Sequence, residues 1–141
     1  MSQIHPYLTF EGNCREAMTF YQECLGGELQ LMTFEGTPGA DQMPDEKLQL
    51  IMHADIRNDM LVLMASDNSG VGPELVNGNT FNLSLNCDTE EEAEDYFEAL
   101  SEGGHTIMPL AVQFWNAKFG ILVDKFGFNW MVNHDYGPQE G

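Results

Sequence analysis

The chain has 141 residues, of which 43% are hydrophobic and 11% aromatic, and this composition excludes a wholly disordered protein. Five Lys and Arg residues stand against 23 Asp and Glu residues, so the net charge is −18. A surface this negative repels phosphate backbones and anionic lipids, so we expect neither a nucleic acid nor a membrane as partner. The charge is compatible with a basic partner, and its simplest explanation is solubility.

Three features of the sequence indicate a cytoplasmic protein. The longest strongly apolar run covers residues 60–65, far fewer than the roughly 20 residues that a membrane helix needs. Residues 1–6 hold no basic region followed by an apolar stretch, so we expect no signal peptide. The cysteines, Cys14, Cys24 and Cys87, have no CxxC spacing, and we expect them to be reduced.

The first predicted elements are a strand at residues 7–10 and a helix that begins after Asn13. Asn13 is a good capping residue, and Glu16 stands where a capping-box partner is expected. The helix carries one apolar stripe at helical spacing, formed by Ala17, Phe20, Tyr21, Cys24 and Leu25. Two consecutive glycines, Gly26 and Gly27, are predicted to end it.

Three more strands are predicted after this helix, with a turn between the last two. The strands cover residues 28–34, 48–56 and 60–65, and the turn covers residues 57–59. Residues 36–46 and 67–79 are rich in glycine and proline, and we expect them to form loops.

The second half of the chain repeats this order of elements. A strand at residues 80–87 alternates strictly, so one of its faces carries Phe81, Leu83, Leu85 and Cys87. A helix follows, capped by Thr89 with Glu92 as its box partner, and it ends at Gly103 and Gly104. The last three strands are predicted at residues 106–114, 118–123 and 128–133, with a turn at residues 124–127.

The two helices are near copies, which indicates an internal duplication. The pattern Ala-x-x-Phe-Tyr that starts at Ala17 matches the pattern Ala-x-x-Tyr-Phe that starts at Ala93. We predict a single α+β domain over residues 1–141, with βαβββ modules at about residues 4–66 and 79–134 and a loose tail at residues 135–141. The two mixed sheets are expected to curl into a half-closed barrel with a concave cup for a small molecule.

Several short stretches carry a family resemblance. In the first half these are PYLTFEGNC at residues 6–14, FY at residues 20–21 and LGGEL at residues 25–29. In the second half they are FW at residues 114–115, FG at residues 119–120 and DKFGFNWM at residues 124–131. Over nearly its whole length the chain resembles the PhnB-like subgroup of the vicinal oxygen chelate superfamily, which has the glyoxalase and bleomycin-resistance fold. The resemblance implies this fold and a homodimer, but no single reaction.

The resemblance also implies positions for a divalent metal on the first and last strands of each half. Here these positions fall at Pro6 or its neighbour His5, at Leu63 or Met64, at Asn82 and at Met131. Leu63 cannot bind a metal, Met131 suits only soft metals and Asn82 is a weak oxygen donor. We therefore expect no catalytic metal and no other cofactor, and His5 is the candidate ligand if a divalent metal does bind.

Neutral side chains are expected to line the cup in place of metal ligands. The predicted ligand-binding residues are Asn82, Ser84, Phe114, Trp115, Asn129 and Met131. Since Trp130 alternates with Met131, we assign Met131 to the cup and Trp130 to packing beneath the helix. Trp115 either stacks on a ligand or fills the core. Such a lining suits an apolar or aromatic molecule that a few amide and hydroxyl contacts orient.

His53 and Asp55 are the candidate catalytic residues. Strand alternation puts both on the face opposite Ala54, and if that face lines the cup, His53 could act as a general base that Asp55 orients. The alternative is a structural His53, hydrogen-bonded across the sheet or exposed at its edge. Cys14 is either a thiol activated at a helix N-terminus or a buried apolar residue.

Three functions are compatible with these features. The first is binding of a small apolar or aromatic molecule without a catalytic metal. The second is a metal-dependent lyase, isomerase or dioxygenase-type enzyme with an unusual ligand set such as His5 and His53. The third is an interaction module with a functional acidic surface. Some members of the subgroup are described as methyltransferases, which we do not expect here because the sequence has no glycine-rich loop for a methyl-donor cofactor.

Overall fold

The structure is a computed structural model that describes residues 2–68, 70 and 74–137. The chain divides into two compact units, Met1–Leu75 and Val76–Gly141. Within the described residues each unit contains one α-helix and one open, mixed four-stranded sheet. The predicted α+β chain of two βαβββ modules is therefore confirmed.

The first unit places its strands in the order β1-β4-β3-β2. Its elements are β1 at Tyr7–Phe10, α1 at Cys14–Leu25, β2 at Glu28–Thr33, β3 at Ile51–Arg57 and β4 at Val62–Asp67. Strand β1 runs parallel to β4, and the other two pairs are antiparallel. Two short 3-10 helices, Ala40–Gln42 and Asp45–Lys47, lie in the connection between β2 and β3.

The boundaries of β3 and β4 correct the prediction. Strand β3 begins at Ile51 because the 3-10 helix Asp45–Lys47 is followed by a turn at residues 48–50, and it continues through Arg57, which was predicted to lie in a turn. The turn instead centres on Asn58, whose side-chain oxygen accepts hydrogen bonds from the backbone amides of Met60 (2.8 Å) and Leu61 (3.1 Å). Strand β4 consequently starts two residues later than predicted, at Val62.

The start of α1 also differs from the predicted capping box. Asn13 makes no side-chain cap. Asp67, the last residue of β4 and predicted to lie in a loop, takes this role. Its Oδ1 accepts the backbone amides of Gly12 (3.0 Å) and Cys14 (2.9 Å), and its Oδ2 accepts that of Ile51 (2.8 Å). Residues 69 and 71–73 of the predicted loop lie outside the described part of the chain.

The second unit repeats the same topology, with the strand order β5-β8-β7-β6. Its elements are β5 at Leu83–Asn86, α2 at Glu90–Ser101, β6 at His105–Gln113, β7 at Ala117–Val123 and β8 at Asn129–Asp135. Here the predicted cap is confirmed, because the hydroxyl of Thr89 accepts the amide of Glu92 at 3.1 Å. Asp135 belongs to β8, not to a loose tail, and residues 138–141 lie outside the described residues.

Strand β5 is shorter than the predicted strand at residues 80–87. Among the described residues its partner is β8, which begins at Asn129, and the pairing starts with Leu83 opposite Trp130. The pairing does not extend ahead of Leu83, although Asn129, the residue of β8 that would face Asn82, belongs to the strand, and Phe81 is 75% exposed. Leu85 and Cys87 are buried as predicted.

Each helix packs on one face of its own sheet. In the first unit Met18 and Tyr21 of α1 are fully buried, as are Ile56 and Leu63 of the sheet. In the second unit Leu100 of α2 is buried on the sheet face that carries Leu122, Trp130 and Val132. Each sheet thereby keeps one face that its helix does not cover. No helix in the described part of the chain has the length and apolar character to cross a membrane.

Candidate functional site

The helix-free face of the second sheet mixes apolar and amide side chains. Because neighbouring residues of a strand point to opposite faces, this face carries the residues that alternate with the buried ones on β5, β7 and β8. We call them the second-sheet face: Ser84, Asn86, Phe119, Ile121, Asn129, Met131 and Asn133. All seven are at least partly accessible to solvent.

Strand register arranges the second-sheet face in rows. One row joins Ser84, Met131 and Ile121, which are direct strand partners. The next row joins Asn86, Asn133 and Phe119 in the same way. In this row the amide nitrogen of Asn133 donates to the side-chain oxygen of Asn86 at 3.3 Å. A hydroxyl and two amides thus stand directly beside a thioether, an aliphatic chain and an aromatic ring.

Three of the six predicted ligand-binding residues lie on this face. Ser84 and Met131 are direct partners, and Asn129 follows on the same side, where its amide donates to the carbonyl of Gly78 at 3.1 Å. Trp115 is 48% exposed, and its ring lies 5.9 Å from that of Phe119, at the border of the face. Whether these residues bind a ligand stays a prediction.

The other two predicted residues lie outside the strands that form the second-sheet face. Phe114 is 93% exposed and packs edge-on against Trp115, with their ring centres 4.9 Å apart. Asn82 precedes β5 and has no strand partner. Trp130 is buried on the helix side, where its indole nitrogen donates to Asp124 at 2.8 Å, so the predicted opposition of Trp130 and Met131 is confirmed.

The residues of the second-sheet face that sequence reasoning missed are Asn86, Phe119, Ile121 and Asn133. A signal for them was present. The alternation that assigned Met131 to this face also assigns Asn133, and Asn86 follows Ser84 by the same step of two. To place Phe119 and Ile121 on this face, one needs the register between β7 and β8. That register depends on the turn that joins the two strands.

The helix-free face of the first sheet brings four polar side chains together. We call Tyr7, His53, Asp55 and Arg57 the first-sheet cluster. The hydroxyl of Tyr7 lies 3.2 Å from Nδ1 of His53, and Nε2 of the same ring lies 3.5 Å from Oδ2 of Asp55. Nε of Arg57 donates to Oδ1 of Asp55 at 3.3 Å. The carboxylate of Asp55 is buried beneath these partners, since its side chain is only 8% exposed.

Strand geometry explains why the first-sheet cluster forms. His53, Asp55 and Arg57 alternate along β3, opposite the buried residues Ala54 and Ile56. Sequence reasoning missed Arg57 because it was assigned to a turn. It missed Tyr7 because the parallel pairing of β1 with β4 joins distant parts of the chain.

The donor set at the predicted metal positions does not fit a divalent metal site. Leu63 is fully buried on the helix side of the first sheet, so the metal position on β4 would fall at Met64. The metal position on β8 falls at Met131, and both side chains are thioethers. His5 precedes β1, and its Nε2 lies 3.0 Å from Oε1 of Gln3. No cluster of three or more His, Cys, Asp or Glu side chains that could hold a metal occurs among the described residues.

His5 borders a different feature, an open pocket of about 540 Å³. The pocket is lined by residues 3–6, which precede β1, by residues 58–61, which connect β3 to β4, and by Val62 at the start of β4. His5 and His53 make contacts with different partners, Gln3 for the first and Tyr7 and Asp55 for the second.

Cys14 is a buried residue. Its side chain is inaccessible to solvent, and burial together with the nearby Asp67 carboxylate raises the pKa of its thiol to about 12. A thiol that stays protonated at neutral pH is a poor nucleophile. The structure therefore favours the buried alternative for Cys14 over the activated one.

Comparisons with known proteins give matches over nearly the whole chain. Residues 2–133 match the family described as 3-demethylubiquinone-9 3-methyltransferase. Protein YjdN of Escherichia coli K12 is 34% identical in an alignment that covers 92% of this chain and 93% of YjdN.

Solved structures show the same fold. Protein PA1353 from Pseudomonas aeruginosa is 44% identical with a TM-score of 0.82, over 96% of this chain and 98% of that one. A Bacillus cereus PhnB protein, described as a putative 3-demethylubiquinone-9 3-methyltransferase, is 29% identical with a TM-score of 0.76, over 94% of this chain and 99% of that one. A glyoxalase/bleomycin resistance protein/dioxygenase family enzyme from Burkholderia phytofirmans shares the fold. It has 14% identity and a TM-score of 0.60, over 91% of this chain and 95% of that one. The chain belongs to the PhnB-like family of the glyoxalase and bleomycin-resistance, or vicinal oxygen chelate, superfamily.

Proposed function

We propose that this protein binds a small, uncharged, apolar or aromatic molecule on the second-sheet face and that this binding requires no catalytic metal. The observation that carries the proposal is the row of Ser84, Met131 and Ile121 beside the row of Asn86, Asn133 and Phe119. Ligand sites of this kind are mostly apolar, with a few polar groups that fix the orientation of the ligand.

The side chains suggest how such a molecule would be held. Met131 and Ile121 offer an apolar floor, and the flexible thioether of a methionine adapts to ligands of different outline. The amides of Asn86 and Asn133 offer both donors and acceptors at one side of that floor. Neither amide carries charge, and the net charge of −18 disfavours an anionic ligand.

The alternative, a metal-dependent lyase, isomerase or dioxygenase-type enzyme, has weaker support. Two of the residues at the expected metal positions are thioethers, and hard divalent ions prefer oxygen and imidazole ligands. The side chains at these positions therefore favour ligand binding by contact and hydrogen bonds. The methyl-transfer activity in the description of the matched family would require a methyl-donor cofactor, for which we identified no binding motif in the sequence.

Binding of Nile red, a neutral planar dye that becomes fluorescent in apolar sites, tests the proposal. We expect the wild-type protein to enhance its fluorescence and Met131→Lys to weaken the affinity about tenfold, since a charge would then be desolvated under the dye. Met60→Lys is the matched control, because Met60 is also partly exposed but lies in the turn before β4. Equal binding by both variants and the wild type would refute the second-sheet face as the site.

We also propose that the protein is a homodimer. Strand β6 lies at the edge of its sheet and exposes Ile107 and Val112, two large apolar side chains. Exposed edge strands of this kind pair readily with another chain. Light scattering of the purified protein should give twice the mass of 15.8 kDa, and a monomer at all concentrations would contradict the proposal.

A further inference from the structure

The first-sheet cluster brings together a hydroxyl, an imidazole and a carboxylate, the three kinds of side chain used in nucleophilic catalysis. The hydroxyl of Tyr7 lies 3.2 Å from Nδ1 of His53, within hydrogen-bonding reach. The other ring nitrogen of His53 lies 3.5 Å from the carboxylate of Asp55. A hydroxyl, a base and a carboxylate that orients the base are the three parts of an activated nucleophile.

Solvent exposure decreases from Tyr7 through His53 to Asp55, as is expected of a site whose nucleophile meets a molecule from solvent. Tyr7 is 47% exposed, and the side chain of His53 is 35% exposed, whereas the Asp55 side chain is only 8% exposed. The hydroxyl can therefore meet a small molecule from solvent. The carboxylate is shielded from solvent and lies between the side chains of His53 and Arg57.

The three residues are held in place by the sheet itself. Tyr7 pairs with Met64, and Met64 pairs with Asp55, so Tyr7 and Asp55 lie in one row with a single strand between them. His53 lies two residues before Asp55 on the same strand. Arg57 holds Asp55 from the other side through the 3.3 Å contact with Oδ1. Groups carried by paired strands are positioned more precisely than groups on loops.

We propose that Tyr7 is a nucleophile, activated by His53, that attacks the carbonyl carbon of small uncharged aryl esters. The proposal concerns the first unit alone and goes beyond ligand binding on the second-sheet face. The uncharged class follows from the net charge of −18, which repels anionic esters. The aryl class follows from the Tyr7 and His53 rings, whose centres lie 5.7 Å apart and which offer aromatic surface beside the hydroxyl.

The reaction balances without any further reagent except water. Oη of Tyr7 forms a bond to the acyl carbon, the ester C–O bond breaks, and the hydroxyl proton passes to Nδ1 of His53. His53 returns this proton to the departing aryl oxygen, so the leaving group is released as a phenol. Water then attacks the acyl-tyrosine, gives one proton to His53 and releases a carboxylic acid, while His53 returns the proton to Tyr7. Asp55 is a positioning residue that stabilises the transient positive charge on the ring.

Tyr136 is a natural control within the same chain. It is also partly exposed, and its ring lies 4.9 Å from the ring of His134. Its hydroxyl, however, donates to the carboxylate of Glu90 at 2.7 Å, and this hydrogen bond raises the pKa of Tyr136. The imidazole of His134 instead contacts the carbonyl of Cys87 at 3.0 Å. Proximity to a histidine ring alone therefore does not activate Tyr136.

Reaction of the whole protein with 4-nitrophenyl acetate tests the proposal by two readouts, release of 4-nitrophenol and the site of acetylation found by peptide mass spectrometry. We expect one acetyl group on Tyr7 and a burst of 4-nitrophenol. Tyr7→Phe should abolish both, and Tyr136→Phe should leave both unchanged. His53→Gln should slow acetylation of Tyr7 about 100-fold, the low end of what a positioned base contributes. Asp55→Asn should lower kcat with KM unchanged, and Asp55→Glu should restore part of the rate.

Two results would overturn the proposal. One is acetylation confined to lysines, Cys24 or the N-terminus with Tyr7 unmodified. The other is a burst of unchanged size in Tyr7→Phe. Circular dichroism of each variant separates loss of reaction from loss of fold. Tyr7 and His53 are partly exposed, so we expect their replacement to leave the buried face of the sheet intact.

Discussion

The carboxylate of Asp67 accepts a hydrogen bond from the backbone amide of Cys14 at 2.9 Å and so joins the end of β4 to the first turn of α1. The same carboxylate also accepts the amides of Gly12 and Ile51. Asp67 is 4% exposed, and three backbone donors satisfy its buried charge. It replaces the local cap that Asn13 does not make.

Replacing Asp67 with Asn should destabilise the fold strongly. An amide offers one acceptor oxygen, so at least one of the three backbone donors would face an NH2 group and lose its partner. We expect a loss of about 3 kcal/mol in the free energy of unfolding, measured by urea denaturation. Asp88→Asn, at an exposed position before α2, is the control and should change the free energy of unfolding only slightly. Equal stability of both variants would show that Asp67 does not anchor α1.

Gly120 is a second position where one added atom should be costly. A Cβ there would lie 2.7 Å from the Phe97 ring of α2 and 2.9 Å from the backbone of Leu110. Backbone cannot move aside as a flexible side chain can, so Gly120→Ala should lower the free energy of unfolding by about 2 kcal/mol. Gly78→Ala is the matched control, since nothing lies within 4 Å of its added Cβ. A Gly120→Ala protein as stable as Gly78→Ala would contradict this packing.

Alkaline pH should destabilise the protein through its buried thiols. Burial, and then the carboxylate of Asp67, raises the pKa of Cys14 from 9.0 to about 12, and burial raises that of Cys87 to about 11. A raised pKa means that the folded state holds the proton more tightly, so this contribution is complete below pH 9.0 and is lost as pH rises towards 12. The urea midpoint should therefore fall over this range. Cys14→Ala should reduce the fall, and a fall of unchanged size in Cys14→Ala would contradict this account.

Metal content provides an independent check on the proposed binding mode. Protein purified untagged and without chelator should carry far less than one Zn, Ni, Mn or Fe per chain by mass spectrometry. Addition of these ions should leave Nile red binding unchanged, because the thioethers of Met64 and Met131 stand where hard ligands would be needed. A stoichiometric metal would revive the metal-dependent alternative, and variants of His5 and His53 would then be the first to examine.

Local patterns in the sequence predicted most of the fold. The helix at Glu90–Ser101 was predicted correctly because its cap, Thr89, and the amide it receives, that of Glu92, are three residues apart. Strict alternation likewise separated Trp130 from Met131. The prediction for Asn13 was wrong because Asp67, which takes its place, lies more than fifty residues later in the sequence. No local pattern reports such a contact.

The candidate site was predictable to the same extent. His53 and Asp55 were placed together because they lie on one strand. Tyr7 reaches His53 through the β1–β4 pairing, which joins residues from opposite ends of the first unit. Ser84, Asn129 and Met131 were placed on one face by alternation, but Asn82 was included in a strand that begins one residue later, at Leu83. Strand register, set by turns and distant partners, is what local sequence reasoning lacks.

Methyl NMR of the nine methionines locates the bound ligand most directly. Acetophenone, a neutral and soluble aromatic ketone, would be titrated into protein labelled at the methionine methyl groups, with Met131→Leu and Met60→Leu used for assignment. Binding on the second-sheet face predicts a saturable shift of the Met131 methyl resonance, while that of Met60 stays unchanged. Saturable binding that shifts other methionines and leaves Met131 unmoved, or no binding at all, would contradict the proposed function.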